Sequence, residues 1–288
     1  MARKRRSRRK KQANSWIGNV GILLLLVAII YILLAGKLGT WIADNIISPI
    51  SSTQPPEGTQ NPNISPSPIS QLTGEIVTKE IETPLLKLYA LQLGAYQEAA
   101  NANTAAESVR TNGAAGYVIS HENLYRVLGA VYGNENDAES VKKQLVESQS
   151  IECGVLLLQS DTLVIKITAE EDCIAAIEQG FDAWIDFITN IREISLEYDK
   201  GSLTFADAKA RLTETINTAK TISTNLEQLQ ILSEGITLPG EIAAELKTCA
   251  EQAETINNSN ETDFSWKLKH TSLKTADAYL KYIGSLGN

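Results

Sequence analysis

Three hydrophobic rhythms divide this chain. Residues 17–36, IGNVGILLLLVAIIYILLAG, are apolar almost without interruption, with no formal charge and one strongly polar residue, Asn19. Residues 84–159 instead place short apolar runs, rich in β-branched and aromatic residues, between turn signals. Beyond residue 160, apolar residues recur every three or four positions.

The first rhythm predicts a membrane-crossing helix at residues 16–37. Twenty helical residues at about 1.5 Å each span the roughly 30 Å of a bilayer core, and Trp16 and Trp41 stand where interfacial rings prefer to lie. The second rhythm predicts strands at 88–94, 116–120, 124–130 and 154–158. Between the first two lies the Ala-rich helix QEAANANTAAESVRTNG, stopped by Asn112-Gly113. His121-Glu122-Asn123 makes a tight turn between the second and third strands. A second helix runs from about 137 to 147, capped by Asn136 or Asp137. The order is β-α-β-β-α-β.

The third rhythm predicts four helices. Their apolar stripes are Ile174, Ile177, Phe181, Trp184, Ile188 and Ile191; then Leu212, Ile216, Ala219, Ile222, Leu226 and Leu229; then Ile242, Leu246, Cys249, Ala253 and Ile256; and last Leu273, Ala276, Leu280 and Ile283. Thr204-Phe205-Ala206-Asp207 resembles a capping box, and Pro239 suits the first turn of a helix. Short connections favour an antiparallel bundle with an intramolecular core over a coiled-coil oligomer.

A repeated phrase ties the second region together. Residues 88–96 read LYALQLGAY and residues 124–132 read LYRVLGAVY; each is followed by AESV, at 106–109 and 138–141. Two βαβ-like halves account for this, each giving one central strand and one helix. Both helices then cover one face of a four-stranded antiparallel sheet, and the other face is expected to be bare. Side chains alternate along a strand. Tyr89, Leu91, Leu93, Tyr125 and Val127 take the helix side. Leu88, Ala90, Gln92, Leu124, Arg126 and Leu128 take the bare side. A planar amide and a forked guanidinium among aliphatic groups suit an uncharged polymer bearing hydroxyl and amide groups. Gln92 and Arg126 are equally readable as ordinary solvated positions.

Composition and charge add the setting. Seven of the eight prolines fall between Pro49 and Pro84, and residues 38–83 read as a Pro- and Ser-rich tether. Residues 1–11, MARKRRSRRKK, hold eight of the 26 Lys and Arg and no acid, so the remainder sets 18 cations against 34 acids. A basic head before an apolar span stays cytoplasmic by the positive-inside rule, placing everything after about residue 38 outside. The span is long for a cleaved signal, and no A-x-A site or lipobox follows it. Cys153, Cys173 and Cys249 are odd in number and do not have metal-site spacing, and two histidines are too few to help. The simplest reading makes the cysteines small buried groups. No cofactor is expected.

The motif YALQLGAY, a polar helix, LYRV and a second such helix resemble the SPOR domain family. The resemblance covers a little over seventy residues and none of the bundle. It implies peptidoglycan binding by a β-α-β-β-α-β fold, with a preference for glycan strands stripped of stem peptides. It also implies service in cell division or sporulation, commonly by single-pass proteins with a short cytoplasmic head and a stalk. Carried onto this chain, the implied glycan contacts are Gln92, Ala95 (where a serine is common), Leu124 (where an aromatic is common) and Arg126. A last contact falls near Gly154 or Val155.

The organisation expected is thus α+β: a basic head (1–15), a transmembrane helix (16–37), a disordered linker (38–83), a SPOR-like domain (84–159) and an all-α bundle (160–288). The expected partners are peptidoglycan glycan strands, the membrane and an envelope protein docked through residues 160–288. RNA binding shares the topology but needs aromatics on the open face and a basic surface. No hydrolase motif such as G-x-S-x-G or H-E-x-x-H is present, and Glu170, Glu171 and Asp172 read as a helix-start cap. A different reading makes the bundle the working part, a scaffold for protein partners whose sheet has lost its glycan.

Overall fold

The computed structural model describes residues 75–232 and 235–287. The expected head, transmembrane helix and the tether up to residue 74 lie outside the described residues. No helix among those described is long and apolar enough to cross a membrane.

The described residues open with a strand that lies within the expected tether. β1 (Ile76–Glu82) pairs antiparallel with β6 (Val164–Glu170), the two forming a ribbon of their own. Ile81, Ile167 and Ala169 are buried beneath it, while Glu80 and Thr78 stay exposed. IVTKEIE is rich in β-branched residues, and its partner lies more than eighty positions away. The ordered fold therefore starts ahead of residue 84, and β6 precedes the bundle inside the region read as all helical.

Between the two ribbon strands lies the sheet. β2 (Lys87–Tyr96), β3 (Tyr117–His121), β4 (Leu124–Tyr132) and β5 (Gly154–Gln159) assemble in the order β3-β4-β2-β5, all antiparallel. α1 (Ala99–Arg110) follows β2 and α2 (Glu135–Gln149) follows β4. The cap of α2 lies earlier than expected. The side chain of Asn134 accepts from the Asp137 amide at 2.9 Å, leaving Asn136 and Asp137 inside the first turn. Between β3 and β4 both central turn residues are left-handed, Glu122 with φ 50° and Asn123 with φ 60°, the conformation of a two-residue primed hairpin turn.

Both helices cover one face, as alternation predicts. Leu91, Ala130 and Tyr132 pack with Ala138 of α2, and Val127 packs with Ala102 and Ala106 of α1. A double irregularity interrupts the β2–β4 ladder: Leu91 pairs with Ala130, Gln92 with Leu128 and Gly94 with Val127. Gly129 and Leu93 drop out of register, and Leu93 lies where a Cβ on Gly129 would come within 2.7 Å of its Cδ1. Past Gly129 the parity of β4 inverts, so Val131 turns to the other face.

That other face is not bare, and here the expectation is corrected. Leu88 (1% exposed), Ala90 (0%), Leu128 (0%), Val131, Ile119 and Leu158 share one continuous core with the helical bundle. Their parity is as read; their surroundings are not. An apolar face of this size, next to four amphipathic helices, is removed from water by whichever of them reaches it.

The bundle consists of α3 (Glu171–Asp199), α4 (Phe205–Leu232), α5 (Leu238–Asn257) and α6 (Glu261–Leu286). Every stripe residue named above is buried except Leu280, which is half-buried. Successive helices run antiparallel: the end of α3 meets the start of α4 at Glu197–Arg211, Lys220 and Glu227 of α4 meet Glu254 and Lys247 of α5 in reversed order, and Tyr282 near the end of α6 meets Glu241 near the start of α5. Thr204 caps α4 by accepting from the Asp207 amide, and Pro239 sits in the first turn of α5. Glu171 and Asp172 occupy the first turn of α3, where a negative charge meets the helix dipole.

α6 carries the bundle onto the sheet. Lys269 donates to the Gly113 carbonyl (2.7 Å), His270 Nδ1 to that of Ala115 (3.0 Å) and Tyr279 to that of Pro84 (2.5 Å). Tyr117 donates to Asp277 (2.7 Å). Apolar contact inside a rim of hydrogen bonds joins the two parts into one body.

Candidate functional site

α6 reaches the start of β3 and the beginning of β2, so the bundle covers one end of the sheet face. The opposite end holds His121, Leu124, Arg126, Gln92, Ala95 and Gly154, all half-buried or exposed. The four residues singled out in the sequence meet there. Ala95 is the cross-strand partner of Arg126, and Leu124 of His121. Gly154 pairs with Gln92, while Val155 pairs with Leu91 and faces the helices. The β5 position on this face is therefore Gly154, which adds backbone but no side chain.

Arg126 and Gln92 are in direct contact. Nη1 of Arg126 donates to Oε1 of Gln92 at 2.8 Å, holding amide and guanidinium side by side. Nη2 donates to a carboxylate oxygen of Glu122 at 2.6 Å. The Arg126 side chain is only 15% exposed, and its Nε is buried with no hydrogen-bond partner. Glu122 is the functional candidate that strand parity misses, because it belongs to the turn. The signal for it is an acid four residues before an arginine across a two-residue hairpin.

The chemistry on offer is hydrogen bonding. The second Glu122 oxygen accepts, and the Gln92 amide nitrogen and the outer guanidinium N–H groups donate. Leu124 and Ala95 supply a small apolar floor. Such a surface suits hydroxyl and acetamido groups. Tyr125 pairs with Tyr96, and both pack with Val127 on the helix side, so neither tyrosine offers its ring to this face.

Elsewhere, among the described residues, no group of three or more His, Cys, Asp or Glu is placed to hold a metal. A cleft of about 140 Å³ lies between α3 and α4, with Phe187 and Ile222 in its floor and Asp182 and Asp186 on its wall. Partial burial holds both carboxyls above the usual range, and the adjacent Glu178 and Asp182 charges add to the effect for Asp182 and Asp186 respectively. Cys173 and Cys249 are buried and Cys153 is half-buried, and burial pushes the Cys249 thiol up to about 12.

Residues 86–156 match the family model of the SPOR domain. The match begins just before β2 and ends within β5, leaving out the β1–β6 ribbon and the bundle. No curated protein and no solved structure matches the chain.

Proposed function

We propose, for a chain that carries a SPOR domain, that it is a non-catalytic, membrane-tethered protein whose sheet binds peptidoglycan. Its ligand is glycan strands lacking stem peptides, and binding gathers the protein at sites of wall remodelling during division or sporulation. SPOR domains are generally peptidoglycan-binding domains rather than catalytic ones, and the family match is the observation that carries this reading. The joining of Gln92 to Arg126 on the uncovered end of the face supports the placement of the site. Residues 17–36 would anchor the protein, with the basic head cytoplasmic and the folded body outside the cell. Because α6 takes one end of the face, the ligand lies across the strand ends from His121 to Gly154. Affinity is expected to be modest, since the site is shallow and no tyrosine ring faces it.

The test is co-sedimentation of the intact chain, in mild detergent, with purified sacculi before and after amidase digestion. Retention that rises after digestion supports the reading, and the double substitution Gln92→Ala, Arg126→Ala should lower it several-fold with the fold intact. No retention on either preparation removes it.

A second reading is favoured by the burial of Leu88, Ala90 and Leu128. A bundle fused to the sheet in this way could make the molecule a scaffold for envelope proteins, the sheet having lost its glycan. Full-length protein that captures an envelope partner while ignoring sacculi would support it.

A further inference from the structure

We infer that Glu122 stands in for a part of the ligand: its carboxylate holds the position on Arg126 that a carboxylate of the glycan strand takes over on binding. The inference rests on the glycan-binding reading above and deepens it, naming the group that is read and the residue that gives way.

The chemistry of a stripped strand supplies that group. A stem peptide is joined to the glycan through an amide, and hydrolysis of that bond leaves a carboxylate on the strand and an ammonium on the peptide. The uncharged polymer expected from Gln92 and Arg126 thereby gains a charge wherever a peptide has been removed. A forked guanidinium tells the two states apart. It takes a carboxylate on two parallel N–H groups, whereas the intact amide is neutral and has one acceptor oxygen.

The geometry around Arg126 leaves such a seat half filled. Nη1 is committed to Gln92 at 2.8 Å. Nε and Nη2 form one side of the fork, where Glu122 meets Nη2 at 2.6 Å and Nε is buried without a hydrogen-bond partner. A carboxylate set square on that side, in place of Glu122, would satisfy both. Glu122 is held lightly: its side chain is 71% exposed, against 15% for Arg126, and exposed ion pairs contribute little. Exchanging one carboxylate for another also keeps the largely buried guanidinium paired.

The residue type agrees. Glu122 has φ 50°, a left-handed conformation that such turns usually give to Asn, Asp or Gly, so the backbone gives no reason for glutamate. What it provides is a carboxylate on an arm long enough to return along β4 to Arg126.

The test uses the intact chain in mild detergent and two probes. One is a tetrasaccharide of alternating N-acetylglucosamine and N-acetylmuramic acid with its carboxylates free. The other is the same tetrasaccharide with those groups converted to methylamides. The parent should bind the carboxylate form at least about fivefold more tightly. Glu122→Gln should strengthen that binding about threefold or more and leave the methylamide form within about twofold. Glu122→Asn, which suits the turn better, should give the same gain and guards against a misfolded variant. Arg126→Ala should level the two probes, which also subtracts any binding by the basic head. With the parent retained on sacculi, equal binding of the two probes, or a carboxylate affinity that neither Glu122 variant raises, overturns the inference and spares the glycan reading. An equal gain for both probes overturns it too, since Glu122 would then be a general obstruction. A parent retained on sacculi that binds neither tetrasaccharide also counts against it. A parent that neither sediments with sacculi nor binds either probe overturns both.

Discussion

The hydroxyl of Tyr117 in β3 donates to the carboxylate of Asp277 in α6 across 2.7 Å, joining residues 160 positions apart. The bond closes the rim over the apolar contact between sheet and bundle, and burial, with Asp277 beside it, raises the tyrosine's pKa. Tyr117→Phe keeps the ring against His270 and removes only the hydroxyl. It should lower unfolding free energy by about 1 kcal/mol in a urea titration. Asp277→Ala should cost at least as much, because it strands the buried hydroxyl. Both should shift one transition common to the sheet and the bundle. Two transitions, with only one moved, would mean the parts unfold independently.

Removal of residues 171–287 should leave the SPOR region unable to hold its fold. Leu88, Ile119, Leu128 and Val131 would return to water. At roughly 1.5–3 kcal/mol each this totals about 6–12 kcal/mol, the size of a whole domain's stability. The ribbon would lose the ion pair between Lys79 and Glu178 as well. The truncated chain should bind a hydrophobic dye and be cleaved quickly by protease. Sharp near-ultraviolet circular dichroism and protease resistance from this fragment would contradict the shared core.

What the sequence makes legible here follows the range of the interactions. Tyr89, Leu91 and Leu93 declare their face because alternation is local, and Ile174 to Ile191 declare a helix because its period is local. Gln92 and Arg126 could be placed on one face by parity, though their contact depends on a register that skips Leu93 and Gly129. Leu88, Ala90 and Leu128 were legible as a second apolar face, but nothing local says what covers it. Their apolar character was itself the clue, since a bare sheet face open to water has little use for three such residues. The β1–β6 ribbon carried β-branched residues as a local mark, but each strand's partner lay more than eighty residues away. Glu122 went unnoticed because turn residues are read for backbone conformation, and its role lies in the side chain.

The three cysteines should separate cleanly by reactivity. The Cys249 thiol is pushed up to about 12, chiefly by burial and then by the Glu245 carboxylate. Cys173 is 1% exposed, whereas Cys153 is half-buried at the start of β5. Burial raises Cys153 too, then Lys142 lowers it and Glu139 raises it. At pH 8 a thiol reagent should modify one cysteine in the native protein, more slowly than it modifies a small free thiol, and three in denaturant. Cys153→Ser should abolish the native reaction. Rapid modification of two or more native thiols would mean the bundle core opens on the timescale of the assay.

Acid should weaken the sheet–bundle joint through His270. Burial, first, and the nearby charges of Arg110 and Lys274 lower its pKa below the usual 6.5, while the Ala115 carbonyl pulls the other way. Lys269 and the Trp266 and Tyr117 rings complete its surroundings. As pH falls below about 6.5, the unfolded chain takes up a proton that the folded chain resists, so the unfolded state is favoured. The stability His270 contributes is thus present above that pH and lost as pH falls towards its folded value. Burial shifts other groups too, Asp182 and Asp186 among them in the opposite direction, so the informative quantity is a difference between two proteins. His270→Gln keeps a donor for the Ala115 carbonyl and cannot titrate. Unfolding free energies of parent and variant, measured at pH 7.5 and pH 5, should show the parent losing ground to the variant on acidification. An equal gap at both values would mean that His270 takes its proton as readily folded as unfolded, and that its burial against the sheet has no electrostatic consequence.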